Sequence, residues 1–288
     1  IPFLHVRRKC LRSDCGIYIY IYILLCKLRR SNAFLTIASP YSVLTVAGFS
    51  RYGNFHNYYR FNPPVKRLSL LSSDWPLPLS GRSSLTVFDV GCNSGELTLM
   101  LHLQLRKLGL PLRTIGVDID PVLIRRANSL KLAGESSQHG QHEGVDDRLE
   151  FHTADVMVDI SSLDTFSAGK RYDLGLCFAV TMWVHLNHGD EGLRQFLRTI
   201  ASRCDFLLLE PQTWKCYRNA SRRMRCHDRS DFQDIDKLEW KNDVLERIDE
   251  FLHSDCQMVV ERRFGVTDWG RPLTLYRARE PTLNQGDR

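Results

Sequence analysis

A chain of 288 residues, 43% hydrophobic and 25% charged, has the composition of a soluble globular protein, with apolar material for one large α/β domain or two small ones. Lys+Arg 39 against Asp+Glu 33 leaves a formal net charge of +6, a mild excess that suits a polyanionic partner and equally many enzymes of small substrates. The 9 cysteines are odd in number and none form C-x-x-C, which argues against a disulfide framework or zinc site and for a reducing compartment, cytoplasm or nucleus.

The first fifty residues stand apart. Ile17 to Cys26 is an apolar run flanked by Arg7, Arg8, Lys9, Lys27, Arg29 and Arg30. It is about half the length of a membrane-spanning helix. A charged start before a short apolar core resembles a signal peptide, but no clear small-residue cleavage site follows. The chain begins with Ile1. Three readings stay open: translated upstream sequence (preferred), a signal or anchor, or a structural strand. The working division is an extension at 1–50, one domain at 51–279 and a tail at 280–288.

Residues 51–67 are rich in aromatics, Asn and Arg, and Pro63-Pro64 interrupts any helix there. A polar loop at 72–84 leads to a buried strand, Leu85 to Val90. Glu96 to Lys107 predicts a helix, with Leu97, Met100, Leu101 and Leu105 on one face. A second strand, Thr114 to Ile119, and a second helix, Val122 to Ala133, follow. Gly134 to Asp147 reads as a polar surface insertion. Strands are expected at Leu149 to Thr153, Tyr172 to Phe178 and Phe206 to Glu210, with helices at Gly189 to Ser202 and Asn242 to His253. Met258 to Phe264 and Leu273 to Ala278 close the domain as a hairpin. Alternating strands and helices imply a mostly parallel sheet, and the final pair implies one antiparallel edge.

The sharpest motif is Phe88-Asp89-Val90-Gly91-Cys92-Asn93-Ser94-Gly95, where a strand hands over to a helix. Glycines there permit a tight turn and close approach of a ligand, which selects Asp89, Gly91, Asn93 and Gly95 as cofactor-binding candidates. Asp118 lies 23 residues beyond Gly95, at the end of the second strand, where a carboxylate can accept both ribose hydroxyls of an adenosine. No G-x-G-x-x-G is present, so a dinucleotide is not indicated. D-V-G-C-N-S-G followed by G-V-D-I-D resembles the class I S-adenosylmethionine-dependent methyltransferase signature. That resemblance implies a Rossmann-like fold, a mostly parallel seven-stranded sheet with helices on both faces. It also implies S-adenosyl-L-methionine as cofactor, with Asp155 at the adenine or else capping a helix.

Two further segments follow strands on the same face: T-M-W-V-H-L-N-H-G-D-E-G-L from Thr181 and E-P-Q-T-W-K-C-Y from Glu210. With Y-G-N-F and D-I-D-P, they resemble the Bicoid-interacting RNA methyltransferases over about residues 52–279. The resemblance implies methyl transfer to the 5′-monophosphate of small RNAs such as precursor microRNA and tRNA, and a small RNA with that end as partner. It implies cofactor contacts at Arg67, Asn93, Asp118, Asp155, Val156 and Phe178, with Arg67 toward the cofactor carboxylate. The catalytic candidates are His185, Asn187, Trp214 and Lys215. The RNA-binding candidates are Tyr58, Arg60, Tyr217, Arg222 and Arg223, the last two in a basic run that could also be a solvated helix face. Thr213 departs from the family, which usually has Pro there. No metal is expected, since His185 and His188 lack further ligands. A small-molecule methyltransferase or a non-enzymatic RNA-binding protein on the same fold is the alternative; intact Asp89, Gly91, Gly95 and Asp118 argue against the second.

Overall fold

The computed structural model describes residues 52–53, 55–71, 75, 79, 81–136, 147–158, 166, 169–226, 232 and 234–279. The expectations for residues 1–50, for most of the 134–147 insertion, for part of the 72–84 loop and for the 280–288 tail lie outside the described residues.

Two short helices come first, Tyr58–Phe61 (α1) and Pro64–Leu68 (α2). The strands are Leu85–Val90 (β1), Leu112–Asp118 (β2), Asp147–Thr153 (β3), Tyr172–Phe178 (β4), Cys204–Glu210 (β5), Met258–Val266 (β6) and Pro272–Ala278 (β7). Between them run the helices Glu96–Leu105 (α3), Pro121–Ser136 (α4), Thr181–Arg203 (α5), Trp214–Cys226 (α6) and Val244–Ser254 (α7). The strands form one sheet in the order β3-β2-β1-β4-β5-β7-β6. The first five are parallel to one another. Their crossovers lead outward in opposite directions from the β1/β4 junction. Right-handed connection therefore puts α3 and α4 on one face and α5 on the other. The junction is the topological switch point, where strand ends part and leave a crevice for ligands.

Burial explains the strands. Val87, Ile115, Leu174 and Leu207 are fully enclosed, as a sheet covered on both faces requires. The predicted face of α3 is buried, and His102 beside it bonds Thr114 Oγ1 on β2 at 2.8 Å.

One expectation is met in an order the sequence did not indicate, and another needs correction. The final pair forms the antiparallel edge, with β7 inserted between β5 and β6 and pairing antiparallel with both. The reason lies in the side chains. C-D-F-L-L-L-E of β5 is buried almost throughout and needs a neighbour on either side, whereas β6 is largely exposed and charged, which suits an edge. The other concerns residues 181–188, read as a loop but helical. Helix α5 runs from Thr181 to Arg203 with a break at Gly189 (φ 69°). Met182, Val184, His185 and Leu186 are all buried, so no one-sided stripe marks the segment, and the glycine interrupts the register. Among the described residues no helix is long and apolar enough to cross a membrane.

Beyond the break, α5 buries Leu193, Phe196, Leu197 and Ile200 against the sheet. Phe196→Ala should cost about 3–5 kcal/mol, read as a lower urea midpoint with native far-UV circular dichroism retained. A loss under about 1 kcal/mol would mean that this helix face carries little of the core.

Candidate functional site

The loop after β1 sets the backbone of the site. Gly91 (φ 73°) and Asn93 (φ 53°) both turn left-handed. A Cβ on Gly91 would fall 2.5 Å from Val180 Cγ2, so the backbone passes where no side chain fits. The Asn93 N–H donates to one Asp118 oxygen and the Asp120 N–H to the other, each at 2.9 Å. These two bonds fix the carboxylate plane at the end of β2. Asp89, at the end of β1, accepts from Thr98 Oγ1 at 2.5 Å. Burial pushes both carboxyls upward, Asp89 to about 7 and Asp118 to about 6; hydrogen bonds from Thr98 and from the two N–H groups oppose the shift.

A cavity of about 380 Å³ opens here. Asp89, Gly91, Asn93, Asp118, Asp155, Val156 and Phe178 line it, as do Asn187 and His188 from α5. Asp155 also accepts the Met157 N–H at 2.9 Å, so it stiffens its own turn while facing the cavity.

The aromatic segment before β1 forms the roof. Asn93 Nδ2 donates to the Phe55 carbonyl at 3.1 Å, Arg126 to the His56 carbonyl at 2.7 Å, and the His56 ring meets Asp120 at 2.9 Å. Tyr59 is buried, with its hydroxyl 3.4 Å from the Cys92 carbonyl. Gly53 (φ 78°) leaves room for Trp183, whose Nε1 would lie 2.2 Å from a Cβ there.

Behind the roof, Glu210 is fully buried at the end of β5 and gathers the charged groups of the site. Arg67 donates to both of its oxygens, through Nε and through Nη2 at 3.0 Å. Trp269 Nε1 (3.2 Å) and Arg271 Nη1 (3.1 Å) donate to Oε1. The Tyr58 hydroxyl accepts from Arg67 at 2.5 Å and from Arg271 at 3.2 Å. Burial alone would lower the pKa of Arg67; Tyr58 and Glu210 reverse that and hold it above its ordinary value. Two guanidiniums on one carboxylate leave one excess positive charge. Arg67 Nη1 is buried without a hydrogen-bond partner.

A second cavity, of about 520 Å³, adjoins the first and shares Tyr58, Ala179 and Trp183 with it. Lys215, Arg223 and Arg271 line it with Phe61, Gln212 and Cys216, and no carboxylate does. The wall between the cavities is held by Gln212. Its Oε1 accepts from Thr181 Oγ1 (2.9 Å) and the Met182 N–H (3.0 Å), and its Nε2 donates to the Ala179 carbonyl at 2.5 Å. Ala179 itself is left-handed (φ 59°), an uncommon state for a residue with a Cβ, costing about 1–3 kcal/mol. Thr213, in the family's proline position, lies just before α6; its carbonyl accepts the Cys216 N–H at 2.8 Å and its Oγ1 meets the Cys216 sulfur at 3.7 Å.

Several expected site residues fall elsewhere. His185 is fully buried, between the Tyr217 hydroxyl (3.0 Å) and Asp190 (3.1 Å), and burial lowers its pKa against the pull of Asp190. It braces α5 against α6 and lines neither cavity. Tyr217 is enclosed by the same contact, so RNA cannot touch it. Trp214 packs on Tyr217 at 5.0 Å and lines neither cavity. Helix formation from Trp214 accounts for both, since it turns these two rings toward the core. Gly95 (φ 80°) is the start of α3, where a Cβ would lie 2.8 Å from Phe151 and 2.9 Å from Ala127; close packing, not ligand contact, requires it. Arg67 lies behind the first cavity, its guanidinium carbon 5.7 Å from the Phe178 ring centroid. Arg60 and Arg222 are exposed outside both cavities. The pattern-based reading missed Arg271 and Trp269 and the clamping roles of Glu210 and Gln212. W-G-R-P in the terminal hairpin was the available signal, but nothing local ties it to a site some 60 residues upstream.

The family model of Bicoid-interacting protein 3 matches residues 172–278. A Xenopus laevis protein described as pre-miRNA 5′-monophosphate methyltransferase is 38% identical over 251 residues, covering 80% of this chain and 93% of that protein. A Homo sapiens RNA 5′-monophosphate methyltransferase is 36% identical over 266 residues, covering 85% and 86%. The Mus musculus 7SK snRNA methylphosphate capping enzyme is 31% identical over 221 residues, covering 58% of this chain and 32% of that protein.

Asp89 makes the site costly to keep charged. Its carboxyl holds a proton up to about 7 in the folded chain, against an ordinary 3.8. The folded state therefore binds more protons between those values, and stability falls as pH rises from 3.8 toward about 7. Asp89→Asn should flatten that slope in thermal melts across this range and leave the ligand-free protein more stable at pH about 8. An unchanged slope would show that Asp89 ionises normally.

Proposed function

The chain belongs to the Bicoid-interacting protein 3 family of RNA methyltransferases, and on that premise we propose that it methylates the 5′-terminal monophosphate of small RNAs from S-adenosyl-L-methionine. The observation that carries the reading is the pair of adjoining cavities with opposite linings. One presents Asp89, Asp118 and Asp155; the other presents Lys215, Arg223 and Arg271 with no carboxylate. The first suits a nucleoside bearing a positive centre, the second an anionic group.

The residues present fit the cofactor. The Asp118 carboxylate, already oriented by two N–H groups, has lone pairs left for ribose hydroxyls. Gly91 lines the cavity with bare backbone, packed from behind by Val180. Val156 and Phe178 supply apolar walls. When bound, the cofactor supplies an electrophilic methyl group on a sulfonium sulfur.

The protein's part is placement. A terminal phosphate, with a second pKa of about 6, is already anionic near neutrality, so no strong base is required. Lys215 and Arg271 would hold it, and the Ala179 turn clamped by Gln212 brings the two cavities edge to edge. The roof residues Tyr58 and Trp183 exclude water from the shared wall, and alignment supplies much of the rate. Asn187 lines the first cavity beside Trp183, whose backbone carbonyl accepts its side-chain N–H at 2.8 Å. The free thiols Cys92, Cys177, Cys204, Cys216 and Cys256 support a reducing cytoplasm as the place of action.

Mass spectrometry of one RNA sequence with a 5′-monophosphate or a 5′-hydroxyl, incubated with enzyme and cofactor, tests the reading. Only the phosphorylated end should gain methyl. Equal modification of both would put the target on a base or ribose. Lys215→Ala should slow the reaction and spare cofactor affinity. Asp118→Ala should weaken cofactor binding by about 1.5–3 kcal/mol for each charge-assisted bond lost, measured by calorimetry on the folded variant; unchanged affinity would remove Asp118 from the cofactor site.

A further inference from the structure

Helix α6 presents three faces between Lys215 and Arg225. Tyr217, Ala220, Ser221 and Met224 are buried. Lys215, Cys216, Asn219 and Arg223 line the second cavity. Arg218, Arg222 and Arg225 are exposed. At 3.6 residues per turn these sets occupy adjoining sectors of the helix. The exposed sector therefore borders the cavity face and begins at Lys215, the residue at the cavity. No acidic residue occurs in the helix. Among the described residues Lys215, Arg218 and Arg222 have no carboxylate partner, and Arg225 bonds Ser221 Oγ at 2.9 Å. The stripe from 215 to 225 is about 15 Å long, comparable with the backbone of several nucleotides.

Isolated surface arginines on helices usually pair with a carboxylate three or four positions away. Helix α7 does this, with Arg247 between Asp243 and Glu250. Helix α6 leaves Arg218 and Arg222 without such mates, next to a cavity already lined by three cations.

We propose that the exposed stripe Arg218–Arg222, continued by Arg225, is the exit track for the RNA substrate. It would carry the backbone phosphates downstream of the 5′-terminal nucleotide held in the second cavity. This rests on the reading of the reaction given above. The track contributes affinity through backbone charge, with no base selectivity, and it acts only on substrates long enough to reach it.

The test is methylation kinetics on a 5′-phosphorylated dinucleotide and on a 5′-phosphorylated RNA of about 20 nucleotides, with wild type, Arg218→Ala/Arg222→Ala and Arg218→Lys/Arg222→Lys. The alanine pair should raise KM for the long RNA about tenfold at low salt and reduce its log–log salt slope by about 1.4, at about 0.7 per lost phosphate contact. KM for the dinucleotide and kcat for both should not move, and the lysine pair should restore most of the affinity. An unchanged KM for the long RNA, or an equal rise for both substrates, would overturn the track. If wild type methylates neither oligonucleotide, the reading of the reaction fails, and binding of the same long RNA decides the track by itself: the alanine pair must weaken it.

Discussion

The ion pair between Arg67 and Glu210 organises everything at the ligand end of the sheet. Both side chains are almost wholly buried, and they come from segments 143 residues apart. Removing two charges from water is expensive, and their attraction offsets that only with good geometry and further hydrogen bonds. Here the further bonds come from Trp269, Arg271 and Tyr58. One carboxylate at the end of β5 thus pins the aromatic roof on one side and the β6–β7 hairpin on the other. The walls of both cavities, through Tyr58, Trp269 and Arg271, are consequences of that pairing.

The cluster also explains how two neighbouring cavities keep opposite character. Carboxylates dominate where β1 and β2 end, and burial raises the pKa of two of them, Asp89 and Asp118. Cations dominate where α6 and the hairpin meet. Glu210 sits between these regions and is saturated with donors, so it belongs electrically to neither. The shared wall is narrow and rigid: a clamped left-handed alanine, the Gln212 amide with three partners, and the Tyr58 and Trp183 rings. The reaction proposed above requires donor and acceptor to meet in line where the two cavities adjoin, beside this wall and not across it.

The core strands were legible in the sequence because each is a short apolar run ended by a polar or glycine residue. The boundaries of β1 and β4 match residue for residue. The lining of the first cavity was legible because it is local: Asp89, Gly91 and Asn93 lie within one turn, and Asp118 terminates the next strand. Helix α5 before Gly189 was not, because burial on all sides removes the 3.6-residue stripe that marks an amphipathic helix. His185 and Tyr217 looked like site residues for a related reason. Polar groups next to a loop invite a functional reading, and only the packing shows that they satisfy each other in the core. Arg271 was invisible because its partners, Glu210 and Tyr58, are 61 and 213 residues away. Sequence spacing carries no trace of a contact closed by β7 turning back between β5 and β6.

That strand order bears on how the chain comes off the ribosome. Strand β7 is synthesised last, yet it covers the flank of β5 and carries the hairpin that completes the Glu210 cluster. Until about residue 278 has emerged, β5 presents a bare apolar edge and Glu210 lacks Trp269 and Arg271. A nascent chain stalled before that point exposes an unpaired strand, the kind of surface that chaperones hold and that aggregates form on. The second cavity, whose lining includes Trp269 and Arg271, cannot be complete until the β6–β7 hairpin has been made.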